Sequence, residues 1–439
     1  MHPAELPTSY RAVFRIPSMG RILLGMVVSR VAASMLGVAL VLFTLEQFGS
    51  PELAGLVTFA SVMPGLLIGP IVGALLDRHG RARLIIVDQA VAFGSLLAIG
   101  ALAIAGALTP LLLVLITALT GLTHPLSNVG LRTLFPLIVP RRLWERVNAL
   151  DSNGYVVATL IGPPVAGLLV ELLGGPEAML VIASLYLIAA VVIVGVKDPP
   201  GSTSAEGRLL VNAWHGLRYT FNNRTLLGLG VAFSVLNVGG GIVSIVLPVI
   251  LLSELGLGGG VVGSVWAVMG VTGGIGALAA GRLRIGGLER PILVWGMVGY
   301  AATMLLVLAS PTLAVILLAV ALQGLVNGPM DVAMFTLRQR RTDPAWLGRA
   351  FAVSMSLNFL GYPVGAALGG QLVAIGTAFA IGTAVVITAV SAFLAWWLIP
   401  RDAPTFDGKA DSEASARPAA PTPADEPTPA DDAVSPRAP

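Results

Sequence analysis

His124, Asn128 and Arg132 recur every four residues within an otherwise apolar stretch, so a helix there presents them as one polar stripe. At an offset of 203 residues, Asn327 and Asp331 repeat the first two positions of that stripe and Phe335 takes the third. Imidazole titrates near neutrality and a desolvated carboxylate can take up a proton, which makes His124 and Asp331 candidates for moving a proton through a low-dielectric interior. Arg30 stands alone among apolar residues. It either holds an anionic or polar substrate group or pairs with a carboxylate from another segment. Asn237, Asn358 and Trp266 are further candidates for lining a cavity. Asp88 and Asp151 lie five residues beyond Arg83 and Arg146 and read as structural ion pairs with them.

The elements that position these groups follow from composition. The 439 residues are 56% hydrophobic and 11% charged, with a mean hydropathy of +0.87, against about 25% charged residues in a soluble domain. This is the composition of an all-α integral membrane protein. Runs long enough to cross a bilayer, about 20 residues each, begin near residues 20, 53, 84, 110, 146, 177, 225, 260, 291, 312, 350 and 378. Glycine-rich stretches at 256–260 and 272–276 blur the eighth. With the amino terminus inside, all but Arg30 of the 26 basic residues fall in or beside cytoplasmic connections, whereas "EQFGSPEL" and "GGPEA" on the other side hold acids only. Short-loop basic bias sets topology, so both termini are expected in the cytoplasm of a cell-membrane protein.

That pattern divides the chain into a cytoplasmic segment at 1–19, a six-helix bundle at 20–197, a linker at 198–224, a second bundle at 225–400 and a disordered tail at 401–439. Leu210, Trp214, Leu217 and Phe221 recur at helical spacing in the linker, the signature of an interfacial helix. The offset of 203 also pairs Gly25 with Gly228, Gly73 with Gly276, Arg81 with Arg284, Gly121 with Gly324, Thr133 with Thr336, Arg146 with Arg349, Gly162 with Gly365 and Gly167 with Gly370. The twelve crossings are therefore two parallel six-helix repeats, an arrangement that places a substrate path between halves that rock.

One cytoplasmic connection, "GALLDRHGRAR" at 73–83, is dense in charge. Gly73, Leu75, Asp77, Arg78, Gly80 and Arg81 match, position by position, the loop after span two in the major facilitator superfamily, which this chain resembles over residues 10–400. The resemblance implies that Gly73, Asp77, Arg78, Gly80 and Arg81 form a conformational latch, with the aspartate held near Ala350 at the start of span eleven when the outer end is open. Ala280 stands at the equivalent of Asp77 in the second repeat, which confines a charged latch to the first half. Gly162, Pro163 and Gly167 in "IGPPVAG" match part of the family's antiporter motif in span five. The stretch "RRLWERVNAL" looks most like the macrolide and siderophore exporter branch.

The resemblance implies a secondary active transporter, not an enzyme: a proton-coupled exporter of small amphipathic, drug- or siderophore-like molecules, working by alternating access as a monomer in the lipid bilayer. Uptake of a small nutrient by proton symport is the alternative. A membrane enzyme, sensor or ATP-driven pump is remote, because no Gly-x4-Gly-Lys-Ser/Thr, His-Glu-x-x-His or Gly-x-Ser-x-Gly motif is present. No cofactor is implied. The absence of cysteine removes thiolate metal sites and disulfides, no metal is expected, and basic residues scattered through short loops offer no nucleic-acid face.

Overall fold

Ser50 and Thr109 turn their hydroxyls back onto the N–H groups of Leu53 and Leu112, and Pro51 and Pro110 follow at the first helical position, where a missing N–H costs nothing. Such signals punctuate long apolar runs, and the computed structural model, which describes residues 9–196, 209–282, 287–343, 346–402 and 406, is helical almost throughout. The first half comprises a short α1 (Tyr10–Phe14) and then α2 (Met19–Phe48), α3 (Pro51–His79), α4 (Arg81–Ile104), α5 (Pro110–Ile138), α6 (Trp144–Leu173) and α7 (Gly175–Ile193). A separate helix, α8 (Leu209–Asn222), precedes the second half. That half contains α9 (Arg224–Val249), α10 (Gly259–Arg282), α11 (Glu289–Ala309), α12 (Leu313–Arg340), α13 (Leu347–Phe359), α14 (Gly361–Ile375) and α15 (Thr377–Leu398).

Eleven of these helices are long and apolar enough to cross a membrane. The twelfth crossing is shared by α13 and α14, which break at Leu360. Pro363 supplies the cause, since it lacks the N–H that would close a helical bond to Phe359. The helix starts fall within about three residues of the sequence expectation, and the glycine-rich eighth span is one unbroken helix, α10. The expected tail, apart from residues 401, 402 and 406, lies outside the described residues, as do residues 1–8 and 197–208.

Three of the repeat-related glycine pairs do the same work in each half. Gly25 lets α2 approach Ile193 of α7, and Gly228 lets α9 approach the Leu398 backbone of α15. Gly121 seats α5 on the Ser61 carbonyl of α3, and Gly324 seats α12 on the Met269 carbonyl of α10. Gly162 meets Ser34 of α2, and Gly365 meets the Val238 backbone of α9. A Cβ would collide at each of these positions except Gly228, where it would be tight, so small residues fix helix separation by direct approach.

The two ends of the bundle differ in charge. Connections at one end hold Glu46, Glu52, Glu171, Glu177 and Glu254 and no lysine or arginine; this is the acidic end. At the opposite, basic end, Arg21 donates to the Val192 and Val194 carbonyls at the close of α7, and Arg290 donates to those of Trp396 and Ile399 at the close of α15. Each charge complements the partial charge of the helix terminus it meets.

Candidate functional site

Arg30 lies mid-way along α2 and is only 6% exposed. Its guanidinium donates to the Asp151 carboxylate and to the Asp151 carbonyl of α6, each at 2.6 Å, and stacks 3.6 Å from the centroid of the Tyr155 ring. Gly154 leaves the room for this, since a Cβ there would stand 3.0 Å from the guanidinium. Of the two roles open to Arg30 in the sequence, the geometry displays the pair with a carboxylate. A buried ion pair held by several hydrogen bonds offsets much of the cost of desolvating both charges.

Asp151 is shared. Arg132 of α5, 60% exposed, approaches its other oxygen at 3.7 Å and lies 5.1 Å from the Tyr155 ring. Tyr155 donates to Asn128 at 3.3 Å, and Asn128 bonds His124 at 2.9 Å. The polar stripe on α5 thus forms one network with α2 and α6. The expected ion pair of Asp151 with Arg146 gives way to Arg30 and Arg132, because five residues of helix turn two side chains well away from a common face.

The same geometry removes Arg83 from Asp88. Asp88 is buried on α4 against Ser127 and Thr123, within electrostatic reach of His124, and among the described residues it forms no ion pair with an arginine or lysine. Its neighbour Gln89 donates to Ser29 at 2.9 Å and to Ser127 at 2.7 Å, tying α2, α4 and α5 together. Sequence reading missed Tyr155 and Asp88 as members of this cluster. The signal was present in "DSNGY", where an acid, a glycine and an aromatic share one helical turn.

The second half carries less. Asp331 is half-buried on α12, where Asn327 donates to it at 3.4 Å. Arg338, two turns further, is fully buried but turns to the Phe351 ring at 5.3 Å and to the Met355 sulfur, so it does not pair with Asp331. Asn237 donates to the Asn358 carbonyl at 2.9 Å, and buried Asn358 donates to the Met334 sulfur, so both brace helices. Trp266 is half-buried on α10 and packs against the apolar core.

The halves touch at the acidic end. Gly167 of α6 meets the Gly259 carbonyl of α10, Gly263 meets the Pro163 carbonyl, and Gly55 and Gly370 bring α3 and α14 into backbone contact. The pair Gly167 and Gly370, related by the repeat, therefore serves the two symmetry-related contacts between halves. At the basic end, a Cβ on Gly73 would meet no described residue of another helix within 4 Å, although its repeat partner Gly276 is packed on the Leu325 carbonyl. Asp77 pairs with Arg81 of the next helix, and Arg81 reaches Thr133 at 3.2 Å. Gly80 closes α3 and opens α4 at φ 89°, a backbone conformation that side chains disfavour. Arg78 is exposed. The halves are thus in backbone contact at the acidic end, while Asp77 and Arg81 bond within the first half, and α3, which carries Asp77, also lies beside α8 and α13.

The family model for the Major Facilitator Superfamily matches residues 22–284 and 229–430. The chain belongs to this superfamily. The transporter is 38% identical over 401 residues to the uncharacterized MFS-type transporter y4rN of Sinorhizobium fredii, covering 91% of this chain and 99% of that one. It is 26% identical over 355 residues to the multidrug efflux pump Tap of Mycobacterium tuberculosis, covering 76% and 83%. Macrolide efflux protein A of Streptococcus pyogenes is 23% identical over 356 residues, covering 78% and 85%. Among solved structures, a mutant of the nucleoside transporter NupG shares the fold with a TM-score of 0.71 at 13% identity, covering 87% of the transporter and all of that chain. A D-xylose-proton symporter does so with a TM-score of 0.67 at 16% identity, covering 90% and 99%. Family and neighbours are transporters, and the transporter is a multi-pass membrane protein.

Proposed function

We propose that this protein exports small amphipathic molecules in exchange for protons, with its basic end and both termini in the cytoplasm. The observation that carries the reading is Asp88, buried against Ser127 and Thr123 within electrostatic reach of His124, next to a network that runs from His124 through Asn128 and Tyr155 to Arg30 and Asp151. A carboxylate and an imidazole that feel each other's charge in a dry interior can each take up a proton, and its arrival changes the charge that the rest of the network must balance. Asp331 is a second candidate carrier, across the path in the other repeat. The efflux activities named for Tap and for macrolide efflux protein A support export. The contacts of Pro163 and Gly167 with Gly263 and Gly259 of α10 support a seal on the outer side.

Everted membrane vesicles test this with a fluorescent amphipathic cation such as ethidium. An acid lumen should drive dye inward, a protonophore should collapse the gradient, and Asp88→Asn should abolish the driven phase while dye binding persists. Asp331→Asn should do the same if the second repeat carries the proton. Release of dye from preloaded vesicles in the same gradient would instead establish symport.

A further inference from the structure

All five glutamates of the acidic end lie at a helix N-terminus. Glu46 accepts the Gly175 N–H of α7 at 2.9 Å, Glu254 accepts from Thr377 at the first residue of α15, and Glu52 and Glu177 sit in the first turns of α3 and α7. These contacts stay within one half. Glu171 differs: from the last turn of α6 in the first half, its Oε2 accepts the Gly260 N–H in the first turn of α10 in the second, at 2.7 Å. Among hydrogen bonds between described residues, this is the one that joins the halves.

The glycine run that opens α10 is shaped around that carboxylate. A Cβ on Gly258 would lie inside it, and a Cβ on Gly260 would stand 2.9 Å from Oε2. One on Gly259 would stand 2.8 Å from the Gly167 carbonyl. Three consecutive glycines thus form a notch that admits a carboxylate and the end of α6, at a terminus whose free N–H groups and partial positive charge favour an anion.

We propose that Glu171, seated in the Gly258–Gly260 notch, is the gating contact that holds the acidic end closed and must break for that end to open. Asp77 is its counterpart at the other end of the molecule. Both carboxylates belong to the first half; Glu171 is matched to a helix start in the second, and the family resemblance implies the same for Asp77, so that one is engaged while the other is free. The proposal rests on alternating access and is independent of transport direction, coupling ion and substrate.

The native chain has no cysteine, so spin labels can be placed without removing any. Labels at Ala107→Cys and Thr312→Cys report the acidic end, and labels at Leu137→Cys and Leu288→Cys report the basic end; all four positions are exposed. Distances are read by pulsed dipolar spectroscopy in lipid nanodiscs, with neither substrate nor gradient, so the outcome stands apart from that of the export assay. Glu171→Gln should raise the ratio of open to closed acidic ends roughly tenfold, the equivalent of one charge-assisted hydrogen bond, and shorten the basic-end distance. Gly258→Ala leaves the charge in place but fills the notch, and should shift both distances the same way. Wild-type distance distributions in both variants, with melting temperatures unchanged, would overturn the proposal.

Discussion

Tyr155 is where the two arginines of the first half converge: Arg30 lies on its ring, Arg132 lies near it, and both share Asp151. The strength of this cluster resides in the buried pair, because Arg132 is mostly exposed and its partner oxygen is 3.7 Å away. Arg30→Ala strands a buried carboxylate and should cost about 3–5 kcal/mol, read as a lower melting temperature and folded yield in detergent. Combining Arg30→Met with Asp151→Leu should recover most of that loss, since a matched apolar pair removes both charges together. Arg30 was visible in the sequence as the one basic residue on the wrong side of the topology. Its partner was not, because Asp151 lies 121 residues away and nothing local distinguishes it from the acid of a shallow i, i+5 pair.

Helices read more easily than contacts. Runs of about 20 apolar residues bounded by charge, proline or glycine mark each crossing, and the offset of 203 exposes the repeat because packing glycines resist substitution while surrounding side chains drift. Which glycine packs within a half and which between halves is invisible at that level, since both are simply small residues on helices. The structure separates them, and the two kinds predict different failures. In Gly324→Ala a Cβ would overlap Thr272 and the Met269 carbonyl inside one half, so the variant should lose about 1–3 kcal/mol of stability. Gly167→Ala collides with Gly259 across the interface, and the halves can escape by parting. It should keep its melting temperature and open the acidic end, as cross-linking of labelled cysteines at Ala107 and Thr312 would show.

At the scale of the whole molecule, the two bundles are in backbone contact at the acidic end, and alternating access requires an exchange between that closure and one at the basic end. Asp77 pairs here with Arg81, and the proposed exchange of gating contacts assigns its role to the other closure. Asp77→Asn should therefore leave expression and this conformation intact, slow transport in proteoliposomes, and shift the population toward a closed acidic end. Combined with Glu171→Gln, it should return the distance distributions toward those of the unmodified chain. The charged loop and its family resemblance singled out Asp77 in the sequence. Glu171 was not, because one carboxylate acquires a role only when a distant helix start is folded against it.

The glycine seam at the acidic end also bears on how this protein could be blocked and how it could escape. Where α6 meets α10 and α3 meets α14, the touching surfaces are largely main chain: the carbonyls of Pro51, Pro163, Gly259 and Ala366 against bare glycines. A compound that recognised the closed seam would read peptide groups that every variant must retain. Exchanging a glycine for anything larger, the obvious route to resistance, would itself pry the seam apart and forfeit the transport that resistance is meant to preserve.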